Sequence, residues 1–381
     1  MIMPQRILLI VRRLNIGGIE RVTVNLANTL HRLGHEVHIL TLKKGIELAP
    51  MEGVIVHEKD VDKQVRRSVV GASYELATRA FLKPLLKGSG FFWRGIYGHR
   101  ILKRFMTDIE RQYGPIDRII ARGQGAFEAI WPYQDPRFWQ VCVAPVGNEA
   151  GKLRGFWLRK LYEGKRVVCN TNGVKARLEE ELSRHDIHID ACEVIMNPCD
   201  IDAIRSAADA PVDLPARPFV VHVARLSEVK RQEFLIRAYL EADIEEDLVI
   251  VGDGPMRSHL EQLVDSLGVR DRVHLIGSRV NPYPWMKHAR LFVLSSRSEG
   301  LGIVLAESMI CGTPCAAVNA PGGVADVLIN DQARLLAENN VSSLAEKIRE
   351  GLEHPPVLDT ELIERFRDTH IASQFLALST Q

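Results

Sequence analysis

Two cations, Arg225 and Lys230, follow an apolar run, Phe219–Ala224, that has the composition of a buried β-strand. They therefore lie just beyond the carboxyl end of the predicted strand. An arginine binds phosphate oxygens through its planar fork, and a lysine binds them as a point charge. The spacing makes the two side chains candidates to hold a diphosphate.

Two glutamates, Glu299 and Glu307, flank a glycine-containing turn, Gly300-Leu301-Gly302. Glycine permits close approach of the backbone to a ligand, and the helix predicted after the turn directs free N–H groups at an anion. Glu299 lies in the loop and Glu307 about two turns into the helix. We expect the two carboxylates to contact different parts of an extended ligand.

The elements that must position these residues alternate between strand and helix. The first strand, Arg6–Val11, precedes a helical stripe from Ile19 to Leu33 and a second strand, Glu36–Leu42. Further strands are predicted at Asp117–Ala121, Val141–Ala144, Arg166–Cys169, Phe219–Ala224, Leu248–Val251, Val273–Ile276, Leu291–Leu294 and Pro314–Val318. This order predicts two doubly wound α/β domains, with ligands bound beyond the carboxyl ends of strands in a cleft between them.

Composition and charge exclude several function classes. The chain has 381 residues and a formal net charge of +1, so no overall basic excess is available for nucleic acid. No apolar run reaches the length of a membrane span, and no signal peptide is recognisable. No Cys pair has C-x-x-C spacing and no Cys/His zinc cluster is seen, and Asp60-Val61-Asp62 is interpreted as a solvated charge cluster beside two lysines.

The two halves of the chain differ in charge. Residues 1–197 have 31 Lys and Arg against 21 Asp and Glu, a net charge of +10, whereas residues 198–381 have 18 against 27, a net charge of −9. Lysine and arginine residues are interleaved with aromatic residues in 79–105 and 152–166. This pattern suits contact with an anionic membrane surface, and the alternative is that the apolar residues form core and the cations a solvated face.

Four motifs in this order carry a resemblance to a known family. They are Gly17-Gly18-Ile19-Glu20-Arg21, Val194-Ile195-Met196-Asn197-Pro198-Cys199-Asp200, Ala224-Arg225-Leu226 with Lys230, and the pair Glu299 and Glu307. The chain resembles glycosyltransferase family 4, whose members are retaining enzymes with the GT-B fold. That fold has two Rossmann-like domains facing a central cleft, with a C-terminal helix that crosses back to the first domain.

The resemblance implies a role for each matching residue. Arg225, Lys230 and Glu299 would form the catalytic set, in which the two cations stabilise the departing nucleoside diphosphate and the glutamate contacts sugar hydroxyls. Donor-binding positions would be Gly17, Gly18, Gly254, Arg279, Gly300, Leu301, Gly302 and Glu307, the last of which would accept hydrogen bonds from the ribose. Neither a metal nor another cofactor is expected.

The resemblance also implies domain boundaries and a function. Residues 1–197, with the helix 361–381, would form the acceptor-side domain, and 198–360 the donor domain. The expected reaction moves a sugar from a nucleotide sugar, most often a UDP-sugar in this family, to a glycan or lipid-linked glycan of the cell envelope or lipopolysaccharide. The expected location is the cytoplasm, at the inner face of the membrane.

Alternatives and departures accompany this prediction. Another GT-B enzyme, such as a soluble glycan synthase or a nucleotide-sugar epimerase, and an inactive sugar-nucleotide-binding protein both stay open. A dinucleotide dehydrogenase is disfavoured because the first loop lacks G-x-G-x-x-G. Near Arg122, where many family members have a histidine, this sequence has none, and Leu301 replaces the family's phenylalanine.

Overall fold

The computed structural model describes residues 3–15, 17–77, 89–144 and 154–380. The chain divides into two compact units. Unit 1 holds the described residues of Met1–Asn170, Val174–Pro198 and Asp368–Gln381, and unit 2 holds Thr171–Gly173 and Cys199–Arg367.

Within the described residues, unit 1 contains a seven-stranded sheet in which all neighbouring strands are parallel. Its strands are β1 (Arg6–Val11), β2 (Glu36–Thr41), β3 (Ile55–Glu58), β4 (Arg118–Arg122), β5 (Phe138–Cys142), β6 (Arg166–Cys169) and β7 (Ala191–Val194). The spatial order is β3-β2-β1-β4-β5-β6-β7, so the winding direction reverses between β1 and β4. Such a reversal opens a crevice at the carboxyl ends of the two strands.

Helices connect the strands of unit 1 and cover its sheet. They are α1 (Gly18–Arg32), α2 (Val61–Arg67), α3 (Val69–Ala77), α4 (Ser89–Tyr113), α5 (Gln124–Phe127), α6 (Arg154–Tyr162) and α7 (Asn172–Ser183), with a 3₁₀ turn at Glu128–Ile130. The apolar stripe of α1 is buried, as the spacing predicts, through residues that include Val22, Leu26 and Leu30. Gly34 then adopts a left-handed φ of 89° after the helix, a conformation that glycine reaches without strain.

Unit 2 contains a second parallel sheet, with six strands among the described residues. They are β8 (Phe219–Val223), β9 (Asp247–Val251), β10 (Val273–Gly277), β11 (Leu291–Leu294), β12 (Cys315–Val318) and β13 (Leu336–Ala337). The spatial order β10-β9-β8-β11-β12-β13 places its reversal between β8 and β11. The predicted fold class, two Rossmann-like α/β domains, is therefore confirmed.

The remaining helices follow in chain order. They are α8 (Ile201–Ala208), α9 (Gln232–Ala242), α10 (Arg257–Ser266), α11 (Tyr283–His288), α12 (Ile303–Ile310), α13 (Val324–Val327), α14 (Val341–Glu353), α15 (Thr360–Glu364) and α16 (Asp368–Ala377), with a 3₁₀ segment at Asn330–Leu335.

The last helix, α16, belongs to unit 1, although the residues before it belong to unit 2. The Asp368 carboxylate accepts a hydrogen bond from the Thr29 hydroxyl at 2.7 Å and pairs with Arg32 at 3.1 Å. Ile371 and Phe375 are buried in the same core as β1. The prediction that a C-terminal helix returns to the first domain is confirmed for α16, whereas α15 lies in unit 2.

The basic and aromatic stretches are only partly described, because 79–88 and 145–153 lie outside the described residues. In α4 the side chains of Leu102, Phe105 and Met106 are buried in the core of unit 1, while Arg100, Lys103 and Arg104 are exposed. These apolar residues therefore form core, as the alternative interpretation expects. None of the helices in the described part of the chain combines the length and hydropathy needed to cross a membrane.

Candidate functional site

The loops at the carboxyl edge of the unit 2 sheet carry the predicted site residues of that unit, apart from Glu307, which lies in α12. Arg225 and Lys230 follow β8, Gly254 follows β9, Arg279 follows β10, and the segment from Glu299 to Gly302 follows β11. Because β8 and β11 are neighbours in the sheet, the loops that carry the two cations and Glu299 lie side by side. This is the crevice position at which open α/β sheets bind ligands.

Lys230 and Glu299 are in direct contact. The Lys230 Nζ lies 2.5 Å from the Glu299 Oε1, and the Ser296 hydroxyl donates to the same oxygen at 2.5 Å. The Glu299 side chain is only 10% exposed and that of Lys230 is 26% exposed. Such a partly desolvated pair is held more tightly than an exposed ion pair, and its ammonium group keeps two further donors for a ligand.

Backbone contacts fasten the two loops to each other. The Ser295 hydroxyl donates to the Lys230 carbonyl at 2.8 Å, and the Arg297 N–H donates to the Val229 carbonyl at 2.8 Å. Ser295 and Ser296 are themselves buried. These serines support the site, and sequence reasoning did not assign them a role.

A buried polar network supports the backbone of Arg225. His222 lies within β8 and is fully buried, and its Nδ1 donates to the Val293 carbonyl at 2.8 Å. The Gln232 amide nitrogen lies 3.2 Å from the His222 Nε2 and donates to the Arg225 carbonyl at 3.0 Å. The Arg225 side chain is exposed, so the network fixes the loop and leaves the guanidinium accessible.

Burial lowers the pKa of His222 to about 4. The hydrogen bond to Val293 opposes this shift, and the positive charge of Lys230 adds to it. The folded chain thus keeps His222 neutral where the unfolded chain, near its ordinary value of 6.5, takes up a proton. Stability is therefore lost as the pH falls from about 6.5 towards 4, by up to roughly 3 kcal/mol for this one group.

We expect His222→Asn, which keeps a donor towards Val293, to reduce the acid sensitivity of folding. The free energy of unfolding, measured by urea titration at about pH 7 and about pH 4.5, should fall by roughly 2 kcal/mol less in the variant than in the wild type. Equal losses in the two proteins would assign the acid sensitivity to other groups.

Two glycines after β9 allow close packing against the Arg225 loop. Gly252 and Gly254 have φ values of 149° and 159°. A Cβ on Gly252 would lie 1.9 Å from the Ala224 carbonyl oxygen, and one on Gly254 would lie 2.3 Å from that of Leu226. Gly254 is therefore required for packing, while its contact with a donor stays a prediction.

The turn before α12 has the geometry predicted for it. Gly302 has a left-handed φ of 70° and precedes the first residue of the helix, and Leu301 is buried. Glu307 lies in α12 and accepts a hydrogen bond from the Tyr283 hydroxyl at 3.1 Å. Glu299 and Glu307 are thus held by different partners, which agrees with separate roles.

Arg279 has different contacts from the residues around Lys230 and Glu299. It is exposed after β10, and its guanidinium stacks over the Trp285 ring at 5.6 Å from the centroid. Within the described residues no hydrogen bond joins it to Arg225, Lys230 or Glu299. Its place on the ligand-binding edge is consistent with the predicted donor contact, which stays a prediction.

Gly17 and Gly18 lie in unit 1, at the start of α1 and after the carboxyl end of β1. Gly17 has an extended backbone, and in the described part of the chain a Cβ there would meet the carboxylate end of Glu20 at 2.4 Å. Among the described residues, no atom lies within 4 Å of the place that a Cβ on Gly18 would take. The fold therefore does not demand glycine at position 18, which leaves room for a ligand there.

Arg122 ends β4 at the position where the resemblance leads one to expect a histidine. The side chain is fully buried, and its Nη2 donates to the Asn197 Oδ1 at 2.9 Å. Its other two nitrogens have no partner in the described part of the chain, and burial lowers the pKa of Arg122 to about 10. A buried cation thus takes this place, next to an asparagine of the predicted I-x-N-P element.

No group of three metal-binding side chains occurs among the described residues. In the Asp60-Val61-Asp62 segment, Asp60 accepts from the Lys63 backbone N–H at 2.9 Å and Asp62 pairs with Lys43 at 2.7 Å. Both carboxylates therefore have partners within unit 1, as expected for a charge cluster.

Comparison with known proteins agrees with the geometry. A family described as glycosyl transferases group 1 matches residues 208–369, and one described as glycosyltransferase family 4 matches residues 16–91. The lipopolysaccharide core biosynthesis glycosyltransferase LpsD of Rhizobium meliloti is 30% identical over 318 residues, which cover 80% of this chain and 76% of LpsD.

Two further proteins extend the comparison over nearly the whole chain. The N-acetylgalactosamine-N,N'-diacetylbacillosaminyl-diphospho-undecaprenol 4-alpha-N-acetylgalactosaminyltransferase of Campylobacter jejuni is 25% identical, covering 92% of this chain and 90% of its own. The structure of Anabaena Alr3699/HepE in complex with UDP-glucose has a TM-score of 0.65 at 18% identity, covering 97% and 98% of the two chains. The chain therefore belongs to glycosyltransferase family 4, and it is a glycosyltransferase with the GT-B fold.

Proposed function

We propose that this glycosyltransferase moves a sugar from a UDP-sugar to a glycan or lipid-linked glycan acceptor, with retention of anomeric configuration. The observation that carries the proposal is the contact between Lys230 and Glu299, beside Arg225, at the carboxyl edge of the unit 2 sheet. The relatives named above support a cell-envelope or lipopolysaccharide product. UDP-glucose in the Anabaena protein supports the choice of nucleotide.

In the proposed reaction the bond between the anomeric carbon and the diphosphate oxygen breaks, and the acceptor oxygen bonds to that carbon on the same face. The acceptor proton passes to the departing phosphate oxygen. Negative charge grows on the diphosphate during this step, and Arg225 and Lys230 are placed to stabilise it. Their two charges serve the role that a metal ion serves elsewhere, so the proposal includes no metal.

Glu299 has two tasks in this proposal. Its Oε1 holds Lys230 and Ser296, which leaves the Oε2 for a hydroxyl group of the donor sugar. Glu307 accepts hydrogen bonds from the ribose. The backbone of Gly300-Leu301-Gly302 lies against sugar and phosphate in this proposal, and Gly17 and Gly18 stay predicted donor-binding positions of unit 1.

Contact with an anionic membrane, and a location at the cytoplasmic membrane face, stay predictions. The exposed ring of Phe156, which is 47% accessible, supports them, whereas the exposed cations of α4 fit a solvated face equally well. Lys160 lies over that ring at 5.7 Å, which gives the basic and aromatic pairing expected at a headgroup boundary.

A thermal-shift screen against nucleotide sugars tests the choice of donor, because a ligand of the folded state raises the unfolding midpoint. We expect a UDP-sugar to raise the midpoint more than the ADP-, GDP- and CMP-sugars do. Release of UDP from that donor, only when an acceptor glycan is present, would favour transfer over epimerisation or inactive binding. A larger shift with another base would replace UDP in the proposal, and no shift with any nucleotide sugar would contradict it.

A further inference from the structure

A charged cavity lies at the carboxyl edge of the unit 1 sheet. It has a volume of about 410 Å³ and is lined by Arg13, Lys43, Lys44, Asp60, Asp62, Lys63 and Arg66, which we call the basic pocket. The lining residues come from the segments that follow β1, β2 and β3. The carboxyl ends of parallel strands are where such sheets bind ligands, so the pocket has the position of a binding site.

The walls of the pocket are fastened to the core of unit 1. The Leu42 N–H donates to the Val11 carbonyl at 3.1 Å, and the Val61 N–H donates to the Leu42 carbonyl at 3.1 Å. Val61 and Val65 of α2 are buried. The three segments are thus held together by backbone contacts, and the pocket does not depend on the long exposed side chains for its shape.

Both acidic residues of the pocket have a hydrogen-bond or ion-pair partner, whereas three of its basic residues form no ion pair in the described part of the chain. Asp60 caps α2 and Asp62 pairs with Lys43. Within the described residues, no ion pair involves the exposed side chains of Arg13, Lys44 and Lys63. The pocket therefore presents uncompensated positive charge on segments that backbone hydrogen bonds join to one another.

The lowered pKa of Asp62 agrees with the positive charge around it. Burial alone would raise the pKa of Asp62, but the hydrogen bond from Lys43 and the charges of Arg94, Lys43 and Arg12 lower it below its ordinary value. Lysine and arginine side chains that converge on a cavity are the usual ligands of phosphate oxygens.

We propose that the basic pocket binds a phosphate or diphosphate group carried by the acceptor. The proposal rests on the proposed function, because it assigns the acceptor, and not the donor, to the strand-carboxyl edge of unit 1. It also narrows the acceptor to a phosphorylated glycan or a lipid-diphosphate-linked glycan. The donor diphosphate is assigned to Arg225 and Lys230 of unit 2 and does not need this pocket.

Binding of inorganic pyrophosphate, measured by calorimetry, tests the pocket without an acceptor. All proteins carry Arg225→Gln and Lys230→Gln, so that the donor site does not contribute. The pocket variant adds Arg13→Gln, Lys44→Gln and Lys63→Gln. The matched control adds Arg100→Gln, Lys103→Gln and Arg104→Gln on α4, which removes the same charge from exposed positions of the same unit.

We expect the pocket variant to bind pyrophosphate at least about 10-fold more weakly than its parent, and the control to stay within about threefold. Equal affinity in parent and pocket variant, with unfolding midpoints unchanged, would overturn the proposal. An equal loss in the control would also overturn it, because it would show only a general charge effect.

Co-sedimentation with phosphatidylcholine vesicles, with and without polyprenyl diphosphate, distinguishes the two sources of the phosphate. Binding that needs the polyprenyl diphosphate and is lost in the pocket variant supports a lipid-linked acceptor. Loss of pyrophosphate binding without any vesicle preference supports a soluble phosphorylated glycan. A different result would separate the two proposals. If no nucleotide sugar binds, but pyrophosphate binding is still lost in the pocket variant, the proposed function is contradicted and the anion site is supported.

Discussion

Lys230→Ala is expected to lower kcat/KM by about 100-fold or more, because it removes a preorganised cation from the departing diphosphate. The Lys230 Nζ lies 2.5 Å from Glu299, so the alanine variant also releases the carboxylate that we propose contacts the sugar. The two losses add to each other at the reacting centre. The measurement is the steady-state rate of nucleoside diphosphate release with donor and acceptor both present.

Lys347→Ala is the matched control for this change. The Lys347 Nζ pairs with Glu350 at 2.7 Å, and its side chain is 22% exposed, close to the 26% of Lys230. Lys347 lies in α14, which is distant in the sequence from the loops that follow β8 and β11. We expect its activity to stay within about twofold of the wild type. Activity of Lys230→Ala within threefold of the wild type would contradict the assigned role.

Glu307→Ala is expected to weaken binding of the nucleoside diphosphate by about 10- to 100-fold. A hydrogen bond to a charged acceptor contributes roughly 1.5–3 kcal/mol, and each 1.4 kcal/mol changes the dissociation constant tenfold. The loss should be larger for UDP than for pyrophosphate, because only the former has a ribose. Calorimetric titration of both ligands against both proteins makes the comparison.

Tyr283→Phe is the control that distinguishes loss of the Glu307 carboxylate from loss of its hydrogen bond with Tyr283. This variant removes the hydroxyl that donates to Glu307 at 3.1 Å and keeps the carboxylate. We expect it to bind UDP within about threefold of the wild type. Unchanged UDP affinity in Glu307→Ala, in a protein with a normal unfolding midpoint, would remove Glu307 from the donor site.

Much of the fold follows from the apolar pattern. The strands β8, β9, β10, β11 and β12 lie within one residue of their predicted ends, because each is a short, mainly apolar run between polar loops. Gln232–Ala242 agrees at both ends with the predicted helix. In these segments burial and local preference point to the same structure.

The strands β3 and β5 lack that pattern, so the sequence does not predict the first and predicts the second with shifted ends. Ile55–Glu58 has no fully buried residue, and its run contains His57 and Glu58. The pattern predicts a strand at Val141–Ala144, whereas β5 begins three residues earlier, at Phe138, because Gln140 interrupts the apolar run. Gln140 is nevertheless buried, with its amide donating to the Leu161 carbonyl at 3.0 Å.

The site residues could be named from motifs, but their contacts could not be predicted. Lys230 and Glu299 are 69 residues apart, and only the adjacency of β8 and β11 brings them together. The network around His222 and Gln232 is not predicted, because a single histidine within β8 and a glutamine at the first position of α9 have no distinctive spacing. A histidine in the middle of a predicted buried strand is the signal that would have pointed to the network.

The affinity difference between UDP and UMP measures most directly whether Arg225 and Lys230 hold the donor diphosphate. We expect the wild type to bind UDP at least about 10-fold more tightly than UMP, since the second phosphate adds charged hydrogen bonds. In the Arg225→Gln, Lys230→Gln variant the two affinities should lie within about threefold, with UMP binding little changed. A variant that keeps the wild-type ratio of UDP to UMP affinity would contradict the assignment of these cations to the diphosphate.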